Sequence, residues 1–294
     1  MAIAIRQIHP VFAGEVSGVD LRQPLSHAEI AAIEEGMDRH AVLVFHDQNI
    51  TDEQQIAFTR NFGEIENSAG GFVGRPEDRR LSHLMNDVSN LGQDHRPLDR
   101  EDRRRLFNLG NQLWHSDSSF RAVPAKYSIL SGRVVVDKGG NTEFADMRAA
   151  YDALDDATKQ LCEDLVCEHS LMYSRGSMGF PEFTTEERAM FRPVRQALVR
   201  SHPKTGRKSL YLASHAGTII GWPVPEARAF LRDLNEDATR PENVYVHKWR
   251  QFDLVMWDNR QTMHRVRRFD ESKVRDMRRT TVAGNAPTAE QIAA

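Results

Sequence analysis

The sequence reads as a mainly β chain, a barrel or sandwich with helices packed outside it. Three observations lead there. Strand-like runs dominate from about residue 110 onward, and they lack the regular strand–helix–strand alternation of a parallel doubly wound sheet. Clear helical periodicity is concentrated in the N-terminal part, with only a few helical runs later. The 294 residues exceed an average domain but fit one large β-rich unit, and 40% hydrophobic content can fill its core.

In chain order, the stretch from Ala2 to Ser17 alternates and predicts one or two strands before Gly18. Ser26 with Glu29 three residues on has capping-box spacing. Ile30, Ile33 and Met37 then supply a helical apolar face through about His40. The run from Ala41 to Phe45 predicts a buried strand. Thr51 or Asp52 caps a second helix bearing Ile56, Phe58 and Phe62. Residues 1–62 therefore form an N-terminal helix/strand region. Residues 63–106 contain Gly70-Gly71, Pro76, Pro97 and many Asp and Arg, with a short strand near Asp87–Asn90. Irregular segments this long usually cover or line a site, so this one is expected to be an active-site lid; a solvated insertion is the plainer reading.

Beyond it, the run Tyr127 to Val136 predicts a strong strand, followed by Lys138-Gly139-Gly140-Asn141. A short strand is expected from Thr142 to Ala145. Asp146 caps a helix from Met147 to about Leu154, and another helix is expected from Asp155 to Glu168. The stretch from His169 to Phe191 looks irregular and aromatic-rich. Further strands are expected at 197–201, 209–213, 244–247, 254–257 and 278–282, with a helix at 225–237 and a frayed tail after Gly284. The region around 155–200 reads as an insertion.

Composition excludes several classes. Net charge is −3 and basic residues are scattered, so no nucleic-acid surface is indicated. No stretch approaches 18 consecutive apolar residues, so no membrane span is expected. Cys162 and Cys167, five apart in a helical-looking segment, form neither a CxxC motif nor a disulfide framework. With no signal-peptide pattern at the start, a reduced cytoplasmic setting is expected.

The chemistry centres on Asn111–Phe120, Asn-Gln-Leu-Trp-His-Ser-Asp-Ser-Ser-Phe. In an extended chain His115 and Asp117 share a face. An imidazole and a carboxylate suit a borderline divalent metal, and iron(II) oxygenases use two His and one carboxylate with open positions. A second stretch, from Trp257 to Arg265, ends a strand in a polar turn and brings His264. Arg275, Arg278 and Arg279 then enter a final apolar strand. An arginine facing a barrel interior is costly unless it meets an anion, and its forked donors fit a carboxylate.

Trp-His-Ser-Asp at 114–117, Gly-Gly-Asn-Thr-Glu-Phe-Ala-Asp-Met at 139–147, and Trp257-Asp258-Asn259-Arg260 with His264, Arg275 and Arg279 resemble the taurine dioxygenase (TauD/TfdA) family of Fe(II)/2-oxoglutarate dioxygenases. Asp52–Phe58 and Asp146–Leu154 resemble the members that cleave phenoxyacetates. The likeness spans nearly the whole chain. It implies a single catalytic domain over 1–294 built on a double-stranded β-helix (jelly roll, cupin-like). It also implies iron held by His115, Asp117 and His264, with 2-oxoglutarate on Thr142 and Arg275. The organic substrate's anion would meet Arg279, Asn111 and Ser118, and His202 and His215 match further substrate-side histidines. Trp114 and Trp257 would wall the site.

The implied reaction uses Fe(II), 2-oxoglutarate and O2 to hydroxylate the ether-adjacent CH2 of a phenoxyacetate such as 2,4-dichlorophenoxyacetate. The products are a phenol, glyoxylate, succinate and CO2. The alternatives are the same cofactors acting on a taurine-like sulfonate or a natural aromatic carboxylate, or a catalytically silent metal-binding jelly roll. A homo-oligomer with a small anionic substrate as its partner is expected. Phenoxyacetate-cleaving members carry lysines in the 63–106 region. This chain has Gly74-Arg75 and His95-Arg96 there, which leaves Arg75 or His95 to help clamp a carboxylate.

Overall fold

The computed structural model describes residues 3–68, 73–180 and 182–291. The Gly70-Gly71 pair of the expected lid falls outside them. The N-terminal part comprises β1 (Ala4–Gln7), β2 (Gly14–Ser17), α1 (His27–His40), β3 (Val42–Phe45), α2 (Asp52–Arg60), β4 (Asn86–Asp87) and α3 (Arg103–Asn108). The middle adds β5 (Tyr127–Val134), β6 (Thr142–Asp146), α4 (Met147–Asp152), α5 (Asp156–Glu163), β7 (Val166–His169), α6 (Leu171–Gly176) and α7 (Thr185–Met190). There follow β8 (Val194–Ala197), β9 (Val199–Ser201), β10 (Lys208–Leu210), β11 (Ala216–Ile219) and α8 (Val224–Ala238). The chain closes with β12 (Val244–His247), β13 (Leu254–Asp258), β14 (Thr262–Val266) and β15 (Asp276–Val282).

The large sheet has the order β1-β2-β3-β13-β5-β15-β4 and faces a small sheet ordered β12-β6-β14. Strand alternation divides the large sheet's side chains between two cores. Val42, Val44, Leu130, Val255, Trp257 and Met277 point toward the small sheet and pack with Phe144. Leu43, Phe45, Ile129, Leu254 and Met256 point the other way, onto Ile33 and Met37 of α1 and Phe58 of α2. This is the jelly-roll sandwich, with helices covering its outer face.

Local chemistry explains the helices. Ser26 and Thr51 each form a complete capping box, with Glu29 and Gln54 reaching back to the cap backbone. The far end of α1 is held from across the fold. Arg148, paired with Asp146 at 2.8 Å, donates to the Asp38 and Arg39 carbonyls at 3.3 and 3.1 Å. Those carbonyls lie in the last turn of the helix, where a cation also suits the dipole.

Several expectations need correction. The helix expected to run to Glu168 stops at Glu163, and residues 166–169 form β7 between β11 and β8. Val166, Cys167, Glu168 and His169 alternate half-buried and buried, a strand pattern that helical propensity before it obscured. Cys167 is thus a strand residue, while Cys162 ends a helix. The 169–191 stretch holds two short helices, capped by Ser170 and Thr184. β11 and β14 were not anticipated as strands. The tail after Gly284 is docked as far as Gln291, because Gln291 Nε2 donates to the Arg195 carbonyl at 2.7 Å and Arg195 N donates back at 3.0 Å. Among the described residues no helix is long and apolar enough to cross a membrane.

Candidate metal centre and its cavity

His115 and His264 face each other across an antiparallel bridge. His115 N donates to the His264 carbonyl at 3.0 Å, and His264 N donates to the His115 carbonyl at 2.8 Å. That pairing sets the rings side by side, with centroids 4.2 Å apart. Asp117 follows two residues later, where the chain turns through Ser118 at a φ of 56°. One ligand atom from each of the three residues lies within 4.8 Å of the others, and all three residues are buried.

The donor set fits a divalent metal. His115 Nδ1 donates to the Leu113 carbonyl at 2.8 Å, which leaves its Nε2 lone pair free toward Asp117. His115 Nε2 is 3.8 Å from Asp117 Oδ1, and His264 Nε2 is 3.7 Å from Oδ2. These gaps are too long for hydrogen bonds, yet two ligand bonds of about 2.1 Å each can bridge them. Burial lowers the pKa of both imidazoles and so keeps them neutral, the state a metal requires. His264 Nδ1 has no hydrogen-bond partner among the described residues. Its ring is held by packing instead, with Trp257 at 4.6 Å and Phe144 stacked at 6.0 Å. Trp257 is therefore a wall, as expected, whereas Trp114 packs in a separate core under the Arg265 guanidinium.

The carboxylate is oriented by a network that sequence reasoning missed. Ser128 Oγ donates to Asp117 Oδ2 at 2.7 Å and accepts from Asn259 Nδ2 at 3.0 Å. Asn259 Oδ1 accepts from Asp117 N at 3.1 Å and from Trp257 Nε1 at 3.0 Å. The signal was present in Trp257-Asp258-Asn259, where the amide was noted without a role. Burial alone would raise the Asp117 carboxyl. The Arg279 guanidinium, the two imidazoles and the Ser128 hydroxyl outweigh it and hold the group at about 2.

A cavity of about 130 Å³ borders this cluster. His115, Asp117, Asn111, Ser118, His215 and Arg279 all line it. Segment 63–106 supplies a large share of its walls, including Val73, Leu81, Met85 and Leu98. That segment is tied down by Arg80, which bonds Asp87 and Asp276 at 2.8 Å each. Its described residues are therefore in part cavity wall.

Arg275 lies in an adjoining cavity of about 50 Å³, whose walls share Asn111, Val88 and Leu98 with the first. Its guanidinium is buried and, among the described residues, meets two carbonyls, Val88 O and Gly140 O, both at 3.3 Å, besides the Phe269 ring. No carboxylate pairs with it among the described residues, and burial pulls its pKa down to about 10. The glycine turn makes room here. Gly139 and Gly140 have φ of 80° and 66°, and a Cβ on Gly139 would sit 2.4 Å from the Arg268 carbonyl. Thr142, two residues past Gly140, accepts from Trp249 Nε1 at 3.0 Å.

Other expected residues fall elsewhere or are already engaged. Arg279 directs Nη1 onto Asp117 Oδ1, so its charge faces a carboxylate of the protein. Ser118 Oγ donates to Glu66 at 2.7 Å. His215 is in place, with Nδ1 and Ser174 Oγ 2.8 Å apart. His202 does not line the cavity. It is buried 3.6 Å from Asp258 and 3.7 Å from Asp38, where it serves an ionic cluster behind β13. Arg75 is exposed and paired with Asp78 at 3.1 Å, and His95 is exposed; neither reaches the cavity.

The model of the family described as Taurine catabolism dioxygenase TauD, TfdA family matches residues 4–281. The chain belongs to the TauD/TfdA family. Its TauD/TfdA relatives include the alpha-ketoglutarate-dependent 2,4-dichlorophenoxyacetate dioxygenase of Burkholderia sp. (strain RASC), 44% identical over 287 residues, covering 97% of this chain and 95% of that protein. The (S)-phenoxypropionate/alpha-ketoglutarate-dioxygenase of Delftia acidovorans is 36% identical over 279 residues, covering 93% and 92%. A crystal structure of AAD-2 in complex with Mn(II) and N-oxalylglycine superposes with a TM-score of 0.96 at 66% identity, covering 98% of this chain and 100% of that one. The TauD/TfdA assignment agrees with the jelly-roll core.

Proposed function

We propose that the chain is an Fe(II)- and 2-oxoglutarate-dependent dioxygenase that hydroxylates the ether-adjacent CH2 of a phenoxyacetate. The observation that carries this reading is the buried guanidinium of Arg275, without a carboxylate partner among the described residues, beside a cavity that borders a His–Asp–His cluster. A buried unpaired cation is costly unless a ligand completes it. The substrate class follows from relatives named for phenoxyacetate and phenoxypropionate, and the AAD-2 complex holds a metal with an analogue of 2-oxoglutarate.

His115, Asp117 and His264 would hold the iron, and Arg275 with the Thr142 hydroxyl would hold the far carboxylate of 2-oxoglutarate. When bound, iron and 2-oxoglutarate supply the oxidising chemistry with O2: 2-oxoglutarate ends as succinate and CO2, and the hydroxylated ether collapses to a phenol and glyoxylate. The chain's own residues bind and aim. The His115–His264 bridge fixes two ligands on one backbone unit, and the Ser128–Asn259 network fixes the third. Segment 63–106 acts as a lid that keeps water from the cavity, while Asn111 and His215 present polar edges to the substrate. A silent metal-binding protein would bear the cost of Arg275 without benefit.

The test is coupled formation of succinate and phenol across 2,4-dichlorophenoxyacetate, a cinnamate and taurine. Phenol and succinate formed in equal amounts from the phenoxy acid are expected. Succinate without phenol on every phenoxy acid refutes the substrate, and full activity in His115→Ala refutes the metal assignment. Assembly as a homo-oligomer is proposed with it and is read by light scattering.

A further inference from the structure

A buried charge in the larger cavity has no counter-ion among the described residues. Arg175, in the last turn of α6, is 5% exposed and lines the cavity beside His115 and His215. Its Nη2 donates to Asn111 Oδ1 at 3.3 Å and its Nη1 to Ser174 Oγ at 3.4 Å. Its Nε has no partner. The guanidinium lies 4.7 Å over the Phe107 ring. Among the described residues no carboxylate pairs with it. Chain geometry is arranged for it nonetheless: a Cβ on Gly110 would come within 2.2 Å of the Arg175 Cζ, so only glycine leaves that space.

The other arginines of the cavity differ. Arg79 is half-buried and donates to the Ser68 hydroxyl and the Ser82 and Met85 carbonyls, Arg80 is paired with Asp87 and Asp276, Arg104 with Asp102, and Arg121 lies 3.9 Å from Glu66. Arg279 bonds Asp117 and also acts on Glu66. An anion entering this cavity therefore gains most where the positive charge is uncompensated and a forked edge is open.

We propose that Arg175, with the Asn111 amide beside it, is a receptor for the anionic head of the organic substrate. The proposal rests on the dioxygenase reading for its ligand. Phe107, Phe120 and Leu171, which line the same cavity, supply the apolar surface for an aromatic ring.

The experiment measures binding of 2,4-dichlorophenoxyacetate and its neutral amide to protein loaded with Mn(II) and N-oxalylglycine, by calorimetry. Arg175→Met removes the charge and keeps the bulk; Arg175→Lys keeps the charge without the fork. The expected result is a loss of about 10- to 100-fold in affinity for the acid in Arg175→Met. The amide changes far less, and Arg175→Lys falls between. A purely structural role would weaken acid and amide alike. An acid-to-amide ratio equal to wild type in Arg175→Met overturns the proposal, as does a ratio that collapses only in Arg279→Met. If Arg175→Met does not load Mn(II), the ratio in Arg175→Lys decides in the same way. Wild-type protein that ignores phenoxy acids but binds cinnamate or taurine, with that affinity lost in Arg175→Met, refutes the phenoxyacetate reading and upholds the receptor. Wild-type binding of none of these anions overturns it.

Discussion

Replacing Ser128 by Ala tests whether the Asp117 carboxylate is a metal ligand held by orientation. Ser128 is fully buried on β5, and its hydroxyl is the neutral donor to Asp117 Oδ2 and the acceptor for Asn259 Nδ2. Removing it frees one carboxylate oxygen to rotate. It does little to the protonation state, because Arg279 and the two imidazoles hold the group down more strongly than this hydroxyl does. Partners of this kind are worth about 10- to 100-fold in metal affinity. The expected result is that loss in a Mn(II) titration at pH 7, unchanged in fold at pH 6 and pH 8. The Asn259 amide is left with an unmet donor, which costs about 1–3 kcal/mol and lowers Tm by a few degrees. Ser131→Ala is the control: it removes another buried hydroxyl of the same strand, bonded to Gln55 at 2.7 Å. That variant loses stability and keeps metal affinity. Wild-type Mn(II) affinity in Ser128→Ala refutes the ligand role of Asp117. A loss that grows steeply as pH falls refutes orientation as its cause.

Arg275→Met should abolish the Tm rise that 2-oxoglutarate gives the Mn(II)-loaded protein, a shift that wild type shows in a thermal melt; a retained rise refutes the cosubstrate site. His169 is buried with both ring nitrogens unpartnered among the described residues, and burial lowers its pKa from 6.5 to about 3. The stability it contributes as a neutral ring is complete above pH 6.5 and is lost as pH falls from 6.5 toward 3, at about 1.4 kcal/mol per pH unit. His169→Phe keeps the stack on Tyr211 and should therefore lose about 2 kcal/mol less than wild type between pH 7 and pH 5 in urea unfolding of the metal-free protein. Arg80→Met leaves Asp87 and Asp276 without their shared cation and should cost about 3–5 kcal/mol in the same assay. A cost below about 1 kcal/mol would mean that Arg278, 2.9 Å from Asp276, suffices alone.

Local signals in the chain were readable because they are written in neighbouring residues. The Ser26 and Thr51 capping boxes, the buried run at 42–45 and the Gly-Gly turn before Thr142 all depend on spacings of a few positions. The His115–Asp117 pair was readable for the same reason. What could not be read depends on contacts between distant positions. Ser128 and Asn259 are 131 residues apart, and neither residue type signals a role on its own. β7 was hidden because a helix ends three residues earlier and propensity carries across the boundary. His202 was expected on the substrate side by resemblance, and its surroundings are Asp258 and Asp38. Arg279 lines the cavity, and only coordinates reveal that a protein carboxylate already engages it.

Three arginines near the metal site therefore fall into two electrostatic situations. Arg279 is compensated by Asp117, so its removal exposes a buried anion. Arg275 and Arg175 pair with no carboxylate among the described residues, so each stores a desolvation cost that an anionic ligand can relieve. They open on two adjoining cavities that share Asn111, with Arg275 in the smaller and Arg175 in the larger. A small dicarboxylate and a bulkier aromatic acid can thus be sorted by volume while both are attracted by charge. Affinity for each ligand comes from relieving a cost built into the folded chain, and selectivity comes from the walls around it. Substitutions in segment 63–106 that reshape the larger cavity should for that reason change which acid is accepted more than how tightly 2-oxoglutarate is held.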